Sequence, residues 1–189
     1  MNSNLKLNED ETFEKVSELK IGNYVDCVFN KCDLNNFNLA NFSFSQCEFI
    51  DCNLSNCDLK NTKLAEVSFE SCKIMGVEFG VMNQFLIKLS FKECNLSFSS
   101  FYQMKLKKTW YMKCELEQVD FTETILSESR FDSCSLKNAV FDGTNLEKAD
   151  LSSSFGFNIN PSNNRIKKAK FSKENLAGLL SDFDIVISQ

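Results

Sequence analysis

The chain has 189 residues, a formal net charge of −5 and no histidine. The lack of histidine removes the commonest protein ligand for zinc and the commonest base for a serine or cysteine nucleophile. Metal-binding cysteines usually come in pairs about two residues apart, and the nine cysteines of this sequence include no CxxC pair. Composition therefore argues against a metal site or a catalytic triad, and we expect no cofactor.

Residues 1–21 form a polar lead with a short apolar pattern at Phe13, Val16 and Leu19. The start of the chain lacks the basic segment and apolar stretch of a secretory signal, and no apolar run approaches the roughly 18 residues of a membrane-spanning helix. We therefore expect this lead to cap the structure that follows. The protein is expected to be cytoplasmic, with free thiols and no membrane partner.

Residues 22–155 carry a large apolar residue, which we call a centre, at every fifth position. The period runs without a miss from Phe29 to Phe79 and resumes at Leu86, giving 25 centres. The seven-residue step from Phe79 to Leu86 predicts two bulged residues near 80–85. Neither the 3.6-residue period of a helix nor the alternation of a flat strand fits this spacing. A closed coil of short straight sides does fit it.

All nine cysteines occupy the position two residues before a centre. Residues two apart in an extended backbone point to the same side, so each cysteine should face inward with the centre that follows it. The other three positions of each repeat are mostly Asn, Asp, Ser, Glu and Lys, and they should face solvent. The cysteines are thereby predicted to be small core side chains that stay reduced and protected.

The pattern resembles the pentapeptide-repeat family, whose motif is roughly A(D/N)LXX, in the stretches CDLNN, CNLSN, CDLKN and TNLEK. The resemblance covers residues 22–155. It implies an all-β fold, a right-handed quadrilateral β-helix with four repeats to a turn and the cysteine and Leu/Phe positions inside. The family prefers a small residue where this chain has Phe37, Phe42, Leu89 and Met104, so we expect the coil to swell or shift locally there.

With four repeats to a turn, six cysteines would stack on one side of the coil at about 4.8 Å, the usual separation of neighbouring strands. They could form a redox relay or a metal wire, or a structural column of small polarizable side chains. We favour the structural column, because buried thiols away from cationic neighbours are unreactive. The six residues are Cys32, Cys52, Cys72, Cys94, Cys114 and Cys134.

The five-residue period stops in residues 156–189. Ser172 can N-cap a helix that begins KENLAGLLSDF and carries one apolar stripe, and a last strand, DIVI, follows. The stretches IKKAKFS, LAGLL and FDIVI are similar to the close of the Qnr and MfpA proteins, the quinolone-resistance branch of the family, in which this segment joins two solenoids end to end. We therefore expect a homodimer, with a monomeric end cap as the alternative. The expected interface is Leu176, Leu179, Leu180, Phe183, Ile185 and Ile187.

Charged residues at the outward positions separate onto two neighbouring sides of the predicted coil. One side, which we call the acidic wall, carries five acidic residues against Lys60 alone. The five are Asp58, Glu78, Asp120, Glu123 and Asp142. The next side, the basic wall, carries Lys63, Lys88, Lys105, Lys107, Lys108 and Lys148 with Glu66, Glu128 and Glu147. Both walls could also be ordinary solvated surface.

The resemblance implies a function for the acidic wall. Qnr and MfpA proteins bind type II DNA topoisomerases, and the acidic MfpA rod is taken to imitate duplex DNA. By that resemblance, this chain is a partial DNA mimic that binds DNA gyrase or topoisomerase IV and does not itself bind nucleic acid; a generic protein-interaction rod is the alternative. The outward aromatic residues Phe98, Tyr102 and Trp110 could add a partner hot spot or have no function. Catalysis is disfavoured, because the carboxylates lie on convex walls rather than in a cleft.

Overall fold

The computed structural model describes residues 6–183 and 185–186, and it is a coil of parallel β-strands. A four-stranded sheet contains β1 (Lys6–Glu9), β3 (Gly22–Val25), β5 (Ser43–Ser45) and β7 (Lys63–Ala65). A seven-stranded sheet contains β2 (Thr12–Glu14), β4 (Val28–Asn30), β6 (Glu48–Ile50), β8 (Val67–Glu70), β9 (Leu89–Lys92), β10 (Trp110–Met112) and β11 (Arg130–Asp132). The predicted β-helix is confirmed. No helix in the described part of the chain is long and apolar enough to cross a membrane.

Most neighbouring turns of the coil pair at an offset of 20 residues. The strands that contain Glu48 and Ser68 pair in this register, and isolated bridges such as Asp33 with Asn53 repeat it on the other sides. Four repeats therefore complete one turn. We name the sides A, B, C and D after the successive centres Phe49, Leu54, Leu59 and Leu64.

The core fills the inside of the coil. Every predicted centre except Leu86 is buried, and all nine cysteines are buried and free. Rings on side A stack turn upon turn, with centroids 4.5 Å apart for Phe29 and Phe49 and 4.7 Å apart for Tyr111 and Phe131. The unusually large Phe42, Leu89 and Met104 also lie inside, whereas Phe37 is partly buried.

The position two residues before each centre favours Cys, Ser and Thr because its side chain satisfies a backbone carbonyl of the preceding turn. The Cys52 thiol donates to the Phe29 carbonyl at 3.2 Å, and the Thr62 hydroxyl donates to the Leu39 carbonyl at 2.7 Å. A buried carbonyl without a partner is costly, so a small side chain with an S–H or O–H group fits this position well.

Most corners of the coil place the residue two after a centre in the left-handed region, with positive φ. Asn36, Asn56 and Gln118 are typical, with φ between 53° and 56°. Only two apolar side chains, Leu86 and Phe98, occupy such corners in the part of the chain that the structure describes. The polar majority is expected, because Asn and Asp tolerate positive φ better than bulky apolar residues do.

The insertion in the coil lies between Asn83 and Leu89. Asn83 still pairs with Lys63 at an offset of 20, whereas Leu89 pairs with Val67 at an offset of 22. Leu86, predicted to be a buried centre, is 65% exposed with φ 59°. That prediction is wrong, because spacing alone cannot say on which side of the two added residues the register is kept.

The described part of the coil already includes Lys6, within the segment expected to be a cap. Lys6 pairs with Gly22 and Phe13 with Phe29, an offset of 16 residues, so this first turn is four residues shorter than the others. Its residues still stack on the next turn, since the Phe13 and Phe29 ring centroids are 5.0 Å apart. Asn8 fills a centre position and is 4% exposed.

The carboxy-terminal segment forms 3₁₀ helices, Lys173–Leu179 and Ser181–Phe183, and a third 3₁₀ turn is Phe79–Val81. The predicted α-helical stripe is therefore wrong in its period. The Gly178 carbonyl accepts the Ile159 N–H at 2.8 Å, and a Cβ on Gly178 would lie 2.2 Å from the Phe157 carbonyl oxygen. These contacts hold the segment against the last coil turn.

Two details of the predicted ending also differ. Ser172 stands at the N-cap position, but its hydroxyl makes no capping bond and instead accepts a hydrogen bond from the Asn175 amide at 2.9 Å. Ile185 and Val186 are not in a strand. The remaining residues of the expected strand, Asp184 and Ile187, lie outside the described residues.

Candidate protein-interaction surface

The five acidic-wall residues all lie on side C. Glu78, Ser100 and Asp120 form one column of parallel bridges, and Asp58 lies in the same column one turn before Glu78. Glu123 and Asp142 are neighbours on the adjoining columns, since the Glu123 N–H donates to the Asp142 carbonyl at 2.7 Å. Asp58, Glu78, Glu123 and Asp142 are exposed and Asp120 is partly exposed.

Three of the five acidic-wall carboxylates accept hydrogen bonds from neutral groups, and none is paired with a cation in the described chain. Asp58 accepts the Lys60 backbone N–H at 2.9 Å, and Asp120 accepts the Thr122 backbone N–H at 2.9 Å. Glu123 accepts the side-chain amide of Gln103 at 2.6 Å. None of the five takes part in an ion pair with any residue of the described chain. Their charge is therefore directed to solvent.

The basic wall on side D differs, because its carboxylates are paired. Lys88 contacts Glu66 at 3.6 Å, Lys107 contacts Glu128 at 3.0 Å, and Glu147 is paired at 3.0 Å with an arginine, Arg165. The hydrogen bond from Lys107 lowers the pKa of the Glu128 carboxyl. Each exposed pair stabilises little, but together they neutralise part of this wall. The acidic wall is consequently the less compensated of the two.

The three outward aromatic residues separate onto two surfaces. Phe98 lies at the corner between sides B and C and Tyr102 lies on side C, with 52% and 43% of their surface exposed. Trp110 lies on side A, where the Arg130 guanidinium stands 6.0 Å from its ring centroid. The position of Tyr102 on side C could have been read from the sequence. It directly follows the side-C centre Phe101, just as Lys60 directly follows Leu59.

The expected dimer interface remains largely exposed at the end of the coil. Leu176, Leu180, Phe183 and Ile185 are 38% to 54% exposed, whereas Leu179 packs partly against the core. Ile187 lies outside the described residues. Hydrogen bonds from Asn175 to the Ser154 carbonyl and from Asn160 to Asp182 fix this segment on the last turn. The segment thus presents an apolar surface on an anchored backbone.

The six-cysteine column is part of the core. The Cys32 N–H points to the Cys52 sulfur at 3.3 Å, and the Cys52 N–H points to the Cys72 sulfur at 3.4 Å. Within the column, burial raises the pKa of Cys32 to about 11, whereas the hydrogen bond with Cys72 lowers the pKa of Cys52 to about 7. Outside the column, burial raises the pKa of Cys47 to about 11 and that of Cys57 to about 12. A neutral thiol is a poor nucleophile and a poor metal ligand. The described residues contain no group of three or more metal-ligating side chains arranged around one point.

Comparisons with known proteins agree with this architecture. A family model described as the pentapeptide repeat region matches residues 23–84 and 85–179. Protein McbG of Escherichia coli is 34% identical over 171 residues, which cover 90% of this chain and 91% of that protein.

Two solved structures share the fold. Trypsin-treated QnrB1, a plasmid-mediated fluoroquinolone resistance protein, aligns with a TM-score of 0.63 and 15% identity over 96% of this chain and 97% of its own. HetL, which is involved in heterocyst differentiation regulation in the cyanobacterium Nostoc sp. strain PCC 7120, aligns with a TM-score of 0.53 and 13% identity over 87% and 84%. At such identities these structures show the fold alone. The family-model match and the identity to McbG show more: the chain belongs to the pentapeptide-repeat family.

Proposed function

We propose that this protein is a non-enzymatic partner of a type II DNA topoisomerase, DNA gyrase or topoisomerase IV, and that it binds the enzyme as a partial DNA mimic. The observation that carries the proposal is the acidic wall, whose five carboxylates have no ion pair in the described chain. Membership of the family and the fold shared with QnrB1, a fluoroquinolone resistance protein, support it.

The charge density of the wall explains why the mimicry is partial. Asp58 and Asp142 lie four turns apart, which is roughly 20 Å of rod at the strand spacing. A duplex of that length carries about 12 phosphate charges on its two strands. The five unpaired carboxylates are negative and lie along one side of the rod, as phosphates lie along a duplex. Their number is less than half the number of phosphates over the same length. We therefore expect the wall to attract a basic DNA-binding track without matching the affinity of a long duplex.

The proposed assembly is a homodimer joined at the carboxy-terminal ends. The exposed Leu176, Leu180, Phe183 and Ile185 supply an apolar surface that a second copy can cover. Six turns extend roughly 29 Å, so a tail-to-tail dimer would form a rod of about 60 Å, close to the length of 17 base pairs, with one acidic wall on each half. The dimer would thus lengthen the row of charges along one axis.

The test is inhibition of gyrase supercoiling by the purified protein at 50 mM and 200 mM salt. We expect inhibition that weakens at the higher salt, because charge neutralisation of this kind is screened. The double change Asp58→Lys with Asp120→Lys should raise the concentration needed for half inhibition at least tenfold.

The matched control places the same charge change on side B. Asp33→Lys with Glu115→Lys alters the net charge equally, and both residues lie in one column of bridges. This control should inhibit like the unchanged protein. If supercoiling is unaffected by tens of micromolar protein at 50 mM salt, the topoisomerase proposal fails and the generic interaction rod remains.

A further inference from the structure

Two aromatic side chains interrupt the acidic wall at its middle turn. Phe98 and Tyr102 lie on either side of Ser100, which pairs with Glu78 in one neighbouring turn and Asp120 in the other. Side C has carboxylates in those neighbouring turns, whereas this turn has exposed rings and no charged residue between Phe98 and Gln103. The wall is therefore a row of negative charges with an apolar site inside it.

Phe98 is an unusual occupant of its corner. Its φ is 64°, and Leu86 is the other apolar residue at such a corner among the described residues. The corresponding corner one turn earlier is Gly76, for which positive φ costs nothing. A bulky side chain held in this region is strained and exposed at once, and such strain points to a role beyond folding.

The two rings have no partner in the described part of the chain. Neither Phe98 nor Tyr102 stacks on another aromatic ring there or lies under a cation, whereas Trp110 on side A is accompanied by Arg130. Gly76 and Gly80 occupy the equivalent positions one turn earlier, so these two positions offer no side chain that could stack on the rings. The rings are thus open to a visiting group.

We infer that Phe98 and Tyr102, together with Glu78, Asp120 and Glu123, form a receptor for arginine side chains on a basic protein surface. A guanidinium can lie flat on an aromatic ring while its N–H groups donate to a neighbouring carboxylate. It is also more weakly hydrated than a lysine ammonium, so its transfer from water onto a ring costs less free energy. The carboxylates repel nucleic acid. This inference rests on the proposed function and names the chemistry of that contact, arginine rather than lysine.

The direct test compares two probes of equal charge, a six-residue arginine peptide and a six-residue lysine peptide, by isothermal titration at 50 mM salt. The unchanged protein should bind the arginine peptide at least fivefold more tightly. Phe98→Gly with Tyr102→Ser should remove that preference. Glycine tolerates the positive φ of the Phe98 backbone, so this variant should remain folded. Its far-ultraviolet circular dichroism spectrum should match that of the parent, and its unfolding midpoint should be equal or higher.

Leu86→Gly is the matched control, because it removes the other exposed apolar side chain at positive φ from a different part of the surface. It should keep the arginine preference. An unchanged protein that binds both peptides equally, or a double variant that still prefers arginine, would overturn the inference.

The supercoiling assay separates this inference from the proposed function. The aromatic double variant should need at least tenfold more protein for half inhibition yet keep the salt dependence of the parent, because the carboxylates are intact. Equal inhibition by this variant would contradict an aromatic contact with gyrase. An arginine preference without any effect of the parent on gyrase would refute the topoisomerase proposal and leave the arginine receptor standing.

Discussion

The body of the coil and its carboxy-terminal segment use the same kinds of side chain but treat them differently. In the body, Phe101 and Leu126 are 0% exposed, whereas in the last segment Leu176 and Phe183 are 43% and 51% exposed. An inner turn is stacked between two other turns, whereas the last segment has a neighbouring turn above or below it in one direction only. In a stacked structure, each turn is buried by the turns on either side of it. The last segment is therefore the place where a second protein chain could bury exposed apolar side chains.

The sharpest way to break this comparison is to remove the apolar character of the exposed end. Leu176→Asp with Leu180→Asp should halve the mass measured by light scattering, because a charged pair cannot be buried between two copies. Val140→Asp changes an equally exposed aliphatic residue on the body and should leave the mass unchanged. A parent protein that is already monomeric at micromolar concentration would show that the segment is only a cap.

A second prediction contrasts a core ring with an exposed leucine. Phe101 stacks between Phe79 and Phe121, with centroids 4.5 Å and 5.4 Å away. Phe101→Ala should lower the free energy of unfolding by about 3–5 kcal/mol, through lost burial and a residual cavity. Leu176→Ala, measured at a protein concentration at which the chain is monomeric, should change it by less than about 0.5 kcal/mol. Urea unfolding measures both, and similar losses would contradict the difference between the regions.

Two of the buried thiols, Cys47 and Cys57, predict a loss of stability at alkaline pH. Burial holds the pKa of Cys47 near 11 and that of Cys57 near 12, above the value of about 8.5 for an unfolded thiol. Between these values the unfolded chain releases a proton that the folded chain keeps, so stability falls as pH rises and is unaffected below this window. The slope should be about 1.4 kcal/mol per pH unit for each such thiol.

Urea unfolding from pH 8 to 10.5 measures this slope. Cys57→Val is the matched variant, because Val77 occupies the same column one turn later. It should fold at pH 8 and show a shallower decline above pH 9. The same decline in both proteins would show that this thiol does not contribute.

The smallest expected effect comes from a single hydroxyl. The Tyr111 hydroxyl is buried without a hydrogen-bond partner in the described chain, and the equivalent side-A positions in the adjacent turns are Phe91 and Phe131. Tyr111→Phe should raise the free energy of unfolding by about 1 kcal/mol, because an unsatisfied buried polar group is removed without loss of the ring. A decrease in thermal unfolding experiments would mean that the hydroxyl has a partner.

The sequence sufficed for features that depend on local side-chain direction. An extended repeat fixes which residues point inward, so the buried positions of Cys52 and Leu54 followed directly from spacing. The same arithmetic placed Asp58 and Asp120 on one side. Leu86 failed because its position depends on which strand of the preceding turn it faces, and spacing does not contain that information.

Other features needed the folded chain itself. Gly178, in the 3₁₀ helix Lys173–Leu179, lies against Phe157 of the last coil turn, and this contact cannot be read from the five-residue spacing. The contrast between unpaired and paired carboxylates depends on which long side chains meet across turns. Lys107 on the basic wall pairs with Glu128, 21 positions away. On the acidic wall, Lys60 lies only two positions from Asp58 but makes no ion pair with it in the described chain.

The two residues added between Asn83 and Leu89 also give the rod a mechanical asymmetry. Across this point, backbone pairing joins successive turns on three sides, through Val67 with Leu89, Lys73 with Asn95 and Glu78 with Ser100. On side D, Asn83 pairs back to Lys63, and the next bridge among the described residues joins Lys105 to Ile125. Bending that opens side D at this point therefore breaks no backbone hydrogen bonds between turns. Bending that opens side A, B or C must stretch the hydrogen bonds that join the turns on that side. The rod therefore has one compliant direction, and because side C adjoins side D, such bending would change the spacing of the carboxylates on either side of this point.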